Sequence, residues 1–272
     1  GKDQTDWWRV AGADRRFAFL KATDGGGPSG FTDAAFLANA PRAIAAGLLV
    51  GAYHFFQVND APIVQAKALA RVAKPVINYL PMIDIETLGH KGRERPIAEV
   101  LASGLECVDA IEQEFGLVCV VYTFSAFWSR WPEAYGARPL FIAQYNRRDQ
   151  GVQEPKIPVP WTRWTFHQYA ADPFPALGIP AGHCDGVATA VDCDRFNGSV
   201  DDLHALAAPL KPAHEPGLVF GNDGPPHDSY YVDRATLASA ISDSTPPDTL
   251  PGTAAARTRS PQRTAAVNAA IC

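Results

Sequence analysis

The sequence predicts an α/β fold: an irregular (β/α) TIM-like barrel with fewer helices than strands, followed by a low-complexity tail. Three observations carry this. Apolar strand patterns alternate with helical patterns through the first 210 residues, which points to a mainly parallel sheet covered by helices. Strand number and order favour a closed barrel over an open sheet. Composition then changes near residue 210. All six Trp lie at or before Trp164, only three of the 28 aromatic residues lie beyond 210, and eight of the 23 Pro do. The expected division is a domain over 1–210 and a Pro/Ala/Thr-rich flexible tail or linker over 211–272, with a weak short helix near 236–241.

The elements follow in order. Residues 16–22 (RFAFLKA) alternate as a strand. Residues 32–46 form a helix that Thr32 or Asp33 caps and Gly47 ends. Residues 48–56 are a continuous apolar, aromatic-rich strand. Asp60 is expected to cap a helix that runs to about Ala73 and stops at Pro75. Residues 76–86 are the next strand. Pro96 opens a helix that ends before Gly116. Strands at 118–123 and 140–145 flank a short Trp-containing helix. Strands at 164–169 and 188–193 close the domain in an antiparallel, irregular manner, because no helix separates them.

Hydrophobic residues make up 47% and charged residues 19% of the 272 residues, a balance that excludes wholesale disorder. A chain this long buries roughly 70–75% of its unfolded surface without a metal or disulfide staple. The formal net charge of −5 argues against a polycationic nucleic-acid binder. No apolar run reaches the roughly 18 residues of a membrane span. Gly1 rather than Met stands first, with no charged-then-apolar leader after it, which fits a processed or partial chain. None of the five Cys form a CxxC pair, so no zinc site is expected. Cys184 and Cys193 flank a turn and fit either a hairpin disulfide or two small buried side chains.

The sharpest local feature is Pro81-Met82-Ile83-Asp84-Ile85-Glu86, where two carboxylates end an apolar strand. Side chains at i and i+2 share one face, with Cα atoms about 6.5–7 Å apart. Asp84 and Glu86 therefore project together at the carboxyl end of the strand, which in barrels carries the active site. Neighbouring acids repel, which raises the pKa of at least one. A carboxyl kept protonated can donate to a leaving oxygen, as cleavage of a glycosidic bond requires. The bland reading of the same residues is a pair of structural strand-end acids.

Polar and aromatic groups recur at the same end of the other strands: Lys21; Tyr53, His54 and Phe55; Tyr122 and Thr123; Gln144 and Tyr145; His167, Gln168 and Tyr169; and Asp192, expected at the end of the last strand. Aromatic faces with amides and hydroxyls suit a sugar. Taken singly, His54 reads as a hydrogen-bonded core histidine. Trp7, Trp8, Trp128 and Trp131 read as packing residues in helical contexts. The basic loop 90–95 (HKGRER) reads as a solvated loop.

In order along the chain, RFAFLKATD at 16–24, GLLVGAYHFF at 47–56, MIDIE at 82–86, VVYT at 120–123, PLFIAQYN at 139–146, FHQY at 166–169 and VDCDRFNGS at 191–199 resemble the family-25 glycoside hydrolases. The resemblance implies an irregular β/α barrel and N-acetylmuramidase activity: cleavage of the β-1,4 bond between N-acetylmuramic acid and N-acetylglucosamine in peptidoglycan. It implies Glu86 as acid/base, Asp84 as the group that orients the attacking 2-acetamido group of the substrate, and Asp192 as a third acid. Asp194 falls where the family often has Asn. Lys21, Tyr53, Phe55, Tyr122, Tyr145 and Gln168 match positions that would hold sugars. The resemblance implies no metal or organic cofactor, peptidoglycan glycan strands as partner, and an extracellular, periplasmic, cell-wall or phage-delivered location; it leaves the oligomeric state open. It also implies a departure. Asp6-Trp7 matches the start of the first helix, but the family's opening strand and its Asp have no counterpart. Two unpaired sheet edges are expected there, with Leu218–Phe220 too short to replace the strand. A non-catalytic or impaired glycan-binding barrel is the alternative reading. A chitinase-like enzyme fits less well, because the longer DxxDxDxE acid run is absent around Asp84.

Overall fold

A computed structural model describes residues 5–27, 30–146, 152–171, 181–210 and 269–271. Among them are five α-helices and nine strands: α1 (Trp7–Gly12), β1 (Phe17–Asp24), β2 (Phe31–Thr32), α2 (Ala34–Ala45), β3 (Leu49–Phe55), α3 (Pro62–Ala73), β4 (Pro81–Asp84), α4 (Ile97–Phe115), β5 (Val120–Phe124), β6 (Leu140–Ala143), β7 (Phe166–Ala170), β8 (Asp192–Phe196), α5 (Val200–Ala205) and β9 (Ala269–Ile271). The fold is the expected irregular β/α barrel with fewer helices than strands. One sheet runs β2-β1-β3-β4-β5-β6-β7-β8-β9, and β9 also pairs with β1. Strands β1 and β3 to β7 are mutually parallel, and β8 runs antiparallel to β7.

Helix boundaries follow local chemistry. Asp33 caps α2 by accepting from the Ala35 N–H at 2.8 Å. Pro62 opens α3, where a missing N–H costs nothing. Gly116 ends α4 in the left-handed region at φ 69°. Ser199 and Asp202 form a reciprocal capping box on α5. Asp60 does not cap α3 as expected. Ala61 holds that position, and the Asp60 carboxylate instead accepts from the Gly26 N–H at 2.8 Å, tying two loops together.

Strand alternation divides the barrel into two cores. The outer faces of the strands pack under the helices with Trp7, Val50, Ile83, Leu105, Val121 and Ile142. The inner faces converge on Phe17, Phe19, Tyr53, Tyr79, Leu80, Met82, Phe141 and Phe166, with Leu203 of α5 from below. Phe19 sits among Phe17, Tyr79, Phe141 and Phe166, with ring centroids 5.4–6.1 Å away. Gly51 is its register partner on β3. A Cβ at Gly51 would run into the Phe19 ring and lie 2.6 Å from the Leu80 carbonyl oxygen.

His54 faces outward toward α3 and is fully buried. The Gln65 amide nitrogen donates to the Gln57 and Asp60 carbonyls, so its oxygen is the acceptor of the Gln57 N–H and of His54 Nε2 at 2.9 Å. His54 therefore carries its proton on Nε2, and Nδ1 accepts from the Thr23 hydroxyl at 2.8 Å. Burial pushes its pKa down to about 4 against the pull of Gln65 and Asp24, so the ring is neutral. It is the core histidine that its aromatic strand suggests.

Several boundaries differ from expectation. The strand read over 76–86 is extended only at Pro81–Asp84, because residues 75–80 turn. The segment between β5 and β6 has no Trp-containing helix: its 3₁₀ turn is Glu133–Ala137, and Trp131 packs against it at 4.9 Å from Tyr135. Trp8 is exposed rather than packed. The strand expected over 188–193 is Asp192–Phe196. Cys184 and Cys193 are both buried free thiols. The edges expected to be unpaired are bridged by the β9 backbone, antiparallel to β1 over Ala18–Leu20 and parallel to β8 at Asp192 and Cys193. Most of the expected tail (211–268), with Leu218–Phe220 and the weak helix near 236–241, lies outside the described residues.

Gly51→Ala should destabilise the domain by about 1–3 kcal/mol, because neither the Phe19 ring nor the Leu80 backbone can yield without disturbing the aromatic interior. Urea unfolding of the two proteins checks this, and an unchanged midpoint would contradict the close packing described.

Candidate active site

Above the aromatic interior the inward positions become polar. One small cleft is lined by Tyr53, Met82, Asp84, Glu86, Tyr122, Phe141, Gln168 and Asp192. Strand alternation accounts for the membership. Met82 and Asp84 are i and i+2 on β4, and Glu86 continues the phase two residues beyond the strand. Val120 and Tyr122 repeat it on β5, and Phe166 and Gln168 on β7. Asp84 and Glu86 thus meet on one side as their spacing predicts.

Asp192 reaches the same mouth by a different route. It begins β8 rather than ending the last strand. Because β8 runs against β7, its first residue lies level with the carboxyl ends of the parallel strands. Asp194, two residues on, takes the next inward position. It pairs in register with Gln168 and is 1% exposed. Burial, then the charge of Asp192, pushes its pKa well above the usual carboxylate range.

Tyr122 links the groups. Its hydroxyl donates to Gln168 Oε1 at 2.8 Å, and the Tyr145 hydroxyl donates to the same oxygen at 2.6 Å. Burial, then Tyr145, Glu86, Asp84 and Asp192, pushes the Tyr122 pKa far above the phenol value, so this proton is retained. Asp84, Glu86 and Asp192 line the same cleft as this phenol.

Lys21 and Phe55 stand beside the cleft rather than in its lining. The Lys21 ammonium lies 5.0 Å from the Phe55 ring centroid and pairs with Asp24 at 2.7 Å. Gln57 Nε2 donates to the other Asp24 oxygen at 2.9 Å. A register shift between Lys21 and Thr23 turns Asp24 back toward Lys21. Of the residues named among the strand-end groups, His54, the buried Thr123, His167, whose Nδ1 accepts from Arg195 at 3.1 Å, and Tyr169, which packs against the outer core, face outward. Loop 90–95 is exposed. Sequence reading missed Met82 and Phe141 in the floor, which alternation alone reveals, and the Asp24–Gln57 support of Lys21. Among the described residues no group of three or more His, Cys, Asp or Glu could hold a metal ion, and no helix is long and apolar enough to cross a membrane.

The fold agrees with comparison to known proteins. The model of the glycosyl hydrolases family 25 matches residues 2–174, and the chain belongs to that family. Lysozyme M1 of Streptomyces globisporus is 28% identical over 218 residues, covering 74% of this chain and 67% of that protein. The crystal structure of the lysozyme from Streptomyces coelicolor matches with a TM-score of 0.62 at 27% identity, covering 75% of this chain and 91% of that one. The muramidase from Acremonium alcalophilum matches at 0.59 and 26% identity, covering 75% and 92%.

Asp194 yields a stability test. Its pKa is raised in the folded chain, so between about 3.9 and that raised value the native state binds more protons than the unfolded one, and stability falls as pH rises. Asp194→Asn should remove this loss. Its melting temperature should exceed that of the parent by about 2–8 °C near pH 7, and the gap should close below pH 4. An equal gap at both pH values would contradict the raised pKa of this buried acid.

Proposed function

We propose that this chain is a peptidoglycan hydrolase that cleaves the β-1,4 bond between N-acetylmuramic acid and N-acetylglucosamine. The observation that carries this reading is the convergence of Asp84 and Glu86 from β4 and its extension, and of Asp192 from β8, on one cleft with Tyr53, Tyr122 and Gln168. Membership in family 25 and the likeness to lysozymes supply the substrate class.

In this mechanism protonated Glu86 donates to the glycosidic oxygen as the bond to the anomeric carbon breaks. The substrate's own 2-acetamido oxygen attacks that carbon, and the positive charge that develops on the acetamido group is stabilised by Asp84. Glu86, now a carboxylate, takes a proton from the water that opens the cyclic intermediate and is thereby restored. Asp192 faces the same space and orients its neighbours. Tyr53, Tyr122 and Gln168 hold the sugar, with Lys21, Phe55 and Tyr145 at the rim. The cell wall is the site of action. The catalytic domain is 1–210, to which 269–271 adds backbone pairing.

Glu86→Gln keeps the size of the side chain but removes the transferable proton. Loss of turbidity of a bacterial suspension should slow at least about 100-fold relative to the parent chain. Clearing at the parent rate would overturn the assignment of Glu86. Adsorption to isolated cell walls without clearing by the parent chain would instead support a glycan-binding barrel.

A further inference from the structure

The hydrogen-bond polarity of the wall formed by Tyr122, Tyr145 and Gln168 points to the group on the substrate that it reads. Gln168 lines the cleft and is 2% exposed. Its side-chain oxygen has two lone pairs, and two phenols donate to it, at 2.8 and 2.6 Å. Each phenol has one proton, and both are committed to Gln168. What the amide has left to offer is the Nε2 amino group, which donates and cannot accept.

Electrostatics favours the same orientation. With the amide reversed, its carbonyl dipole would face a cleft bearing Asp84, Glu86 and Asp192. As it stands, the carbonyl oxygen is turned to the two phenols instead. The rest of the lining is biased toward acceptors. Met82 and Phe141 bring no strong polar group, Asp84 and Asp192 accept as carboxylates, the Glu86 proton is engaged by the glycosidic oxygen, and the Tyr122 oxygen has only lone pairs to present. Tyr53 carries a hydroxyl that can act either way. A sugar bearing only hydroxyls can satisfy an acceptor-rich wall by donating. An N-acyl sugar also brings a carbonyl oxygen that has no proton and must find a donor.

We propose that Gln168 is a specificity-determining residue that recognises the N-acyl carbonyl of the bound sugar through Nε2, and that Tyr122 and Tyr145 are positioning residues that hold the amide in this orientation. This rests on the reading of the cleft as a glycan site. It goes beyond that reading by assigning the discrimination between N-acylated and unsubstituted sugars to one amide and its two phenolic locks.

The test is binding of two neutral probes, tri-N-acetylchitotriose and cellotriose, followed by titration calorimetry. Turnover is blocked by Glu86→Gln in every chain compared. The second probe has a hydroxyl where the first has the acetamido group. With Gln168 intact, the acetylated probe should bind about tenfold tighter. Gln168→Glu keeps an oxygen for both phenols but replaces the donor with an acceptor, and the preference should fall to about one. Tyr145→Phe leaves one phenolic donor on the amide and should shrink the preference by a smaller factor. Retention of the full preference by Gln168→Glu would overturn the assignment, and an unchanged preference in Tyr145→Phe would overturn the locking role of that phenol. Absence of binding of either probe to the chain with Gln168 intact would overturn the glycan site itself. Thermal melts of each variant distinguish lost recognition from lost folding, and Gln168→Leu, which removes both polar atoms, should match Gln168→Glu in losing the preference.

Discussion

A sheet that curls back on itself must fill its own interior, and here Phe19 does so. It sits among Phe17, Tyr79, Phe141 and Phe166, and it fits only because Gly51 opposite has no side chain. This packing separates the barrel into a dry lower part and a polar mouth. Strands β4, β5 and β7 each contribute an apolar side chain below and, one inward step higher, a group able to meet a sugar. Asp84 stands above Met82, and Gln168 above Phe166. The carboxylates can be gathered without being drowned in apolar surroundings because the layer beneath them is already full.

Much of this was legible in the sequence. Alternation along 16–22 and the apolar run at 48–56 located two strands, and the acid pair at Asp84 and Glu86 needed only the period of a strand to be placed on one side. The resemblance of ordered segments located Asp192 as well. Its position in the element was misread, because sequence spacing does not reveal strand direction: antiparallel β8 puts its first residue, not its last, at the mouth. Other failures share a cause in tertiary competition. Asp60 has the composition of a helix cap, yet the Gly26 N–H takes its carboxylate. Strand periodicity does not announce the register shift that brings Asp24 back to Lys21, because a one-residue irregularity leaves no compositional trace. The pairing of β9 between β1 and β8 joins residues more than 70 positions apart or nearly the whole chain apart, a distance over which local patterns are silent.

Two kinds of histidine and acid chemistry are kept apart by the sheet itself. His54 and His167, the residues most readily suspected of proton transfer, lie on the outer face, where burial pushes both pKa values down against their hydrogen bonds to Gln65 and the Gln144 carbonyl. The acids lie on the inner face, where burial pushes the Asp194 pKa up and Asp192 rims the cleft. The same two-residue period that separates core from surface in an ordinary strand thus separates structural from reactive titratable groups.

The base of the barrel has a consequence of its own. Leu203 of α5 is inserted from below, and its carbonyl accepts from the Tyr79 hydroxyl at 2.8 Å. The structure is therefore a cup and not a tunnel. A polymer cannot be threaded through it end first; it has to lie across the rim. On the proposed activity, a scission point deep within a long glycan is then as reachable as one beside a terminus, and both halves of a severed strand can drift away sideways without either being pulled through the protein.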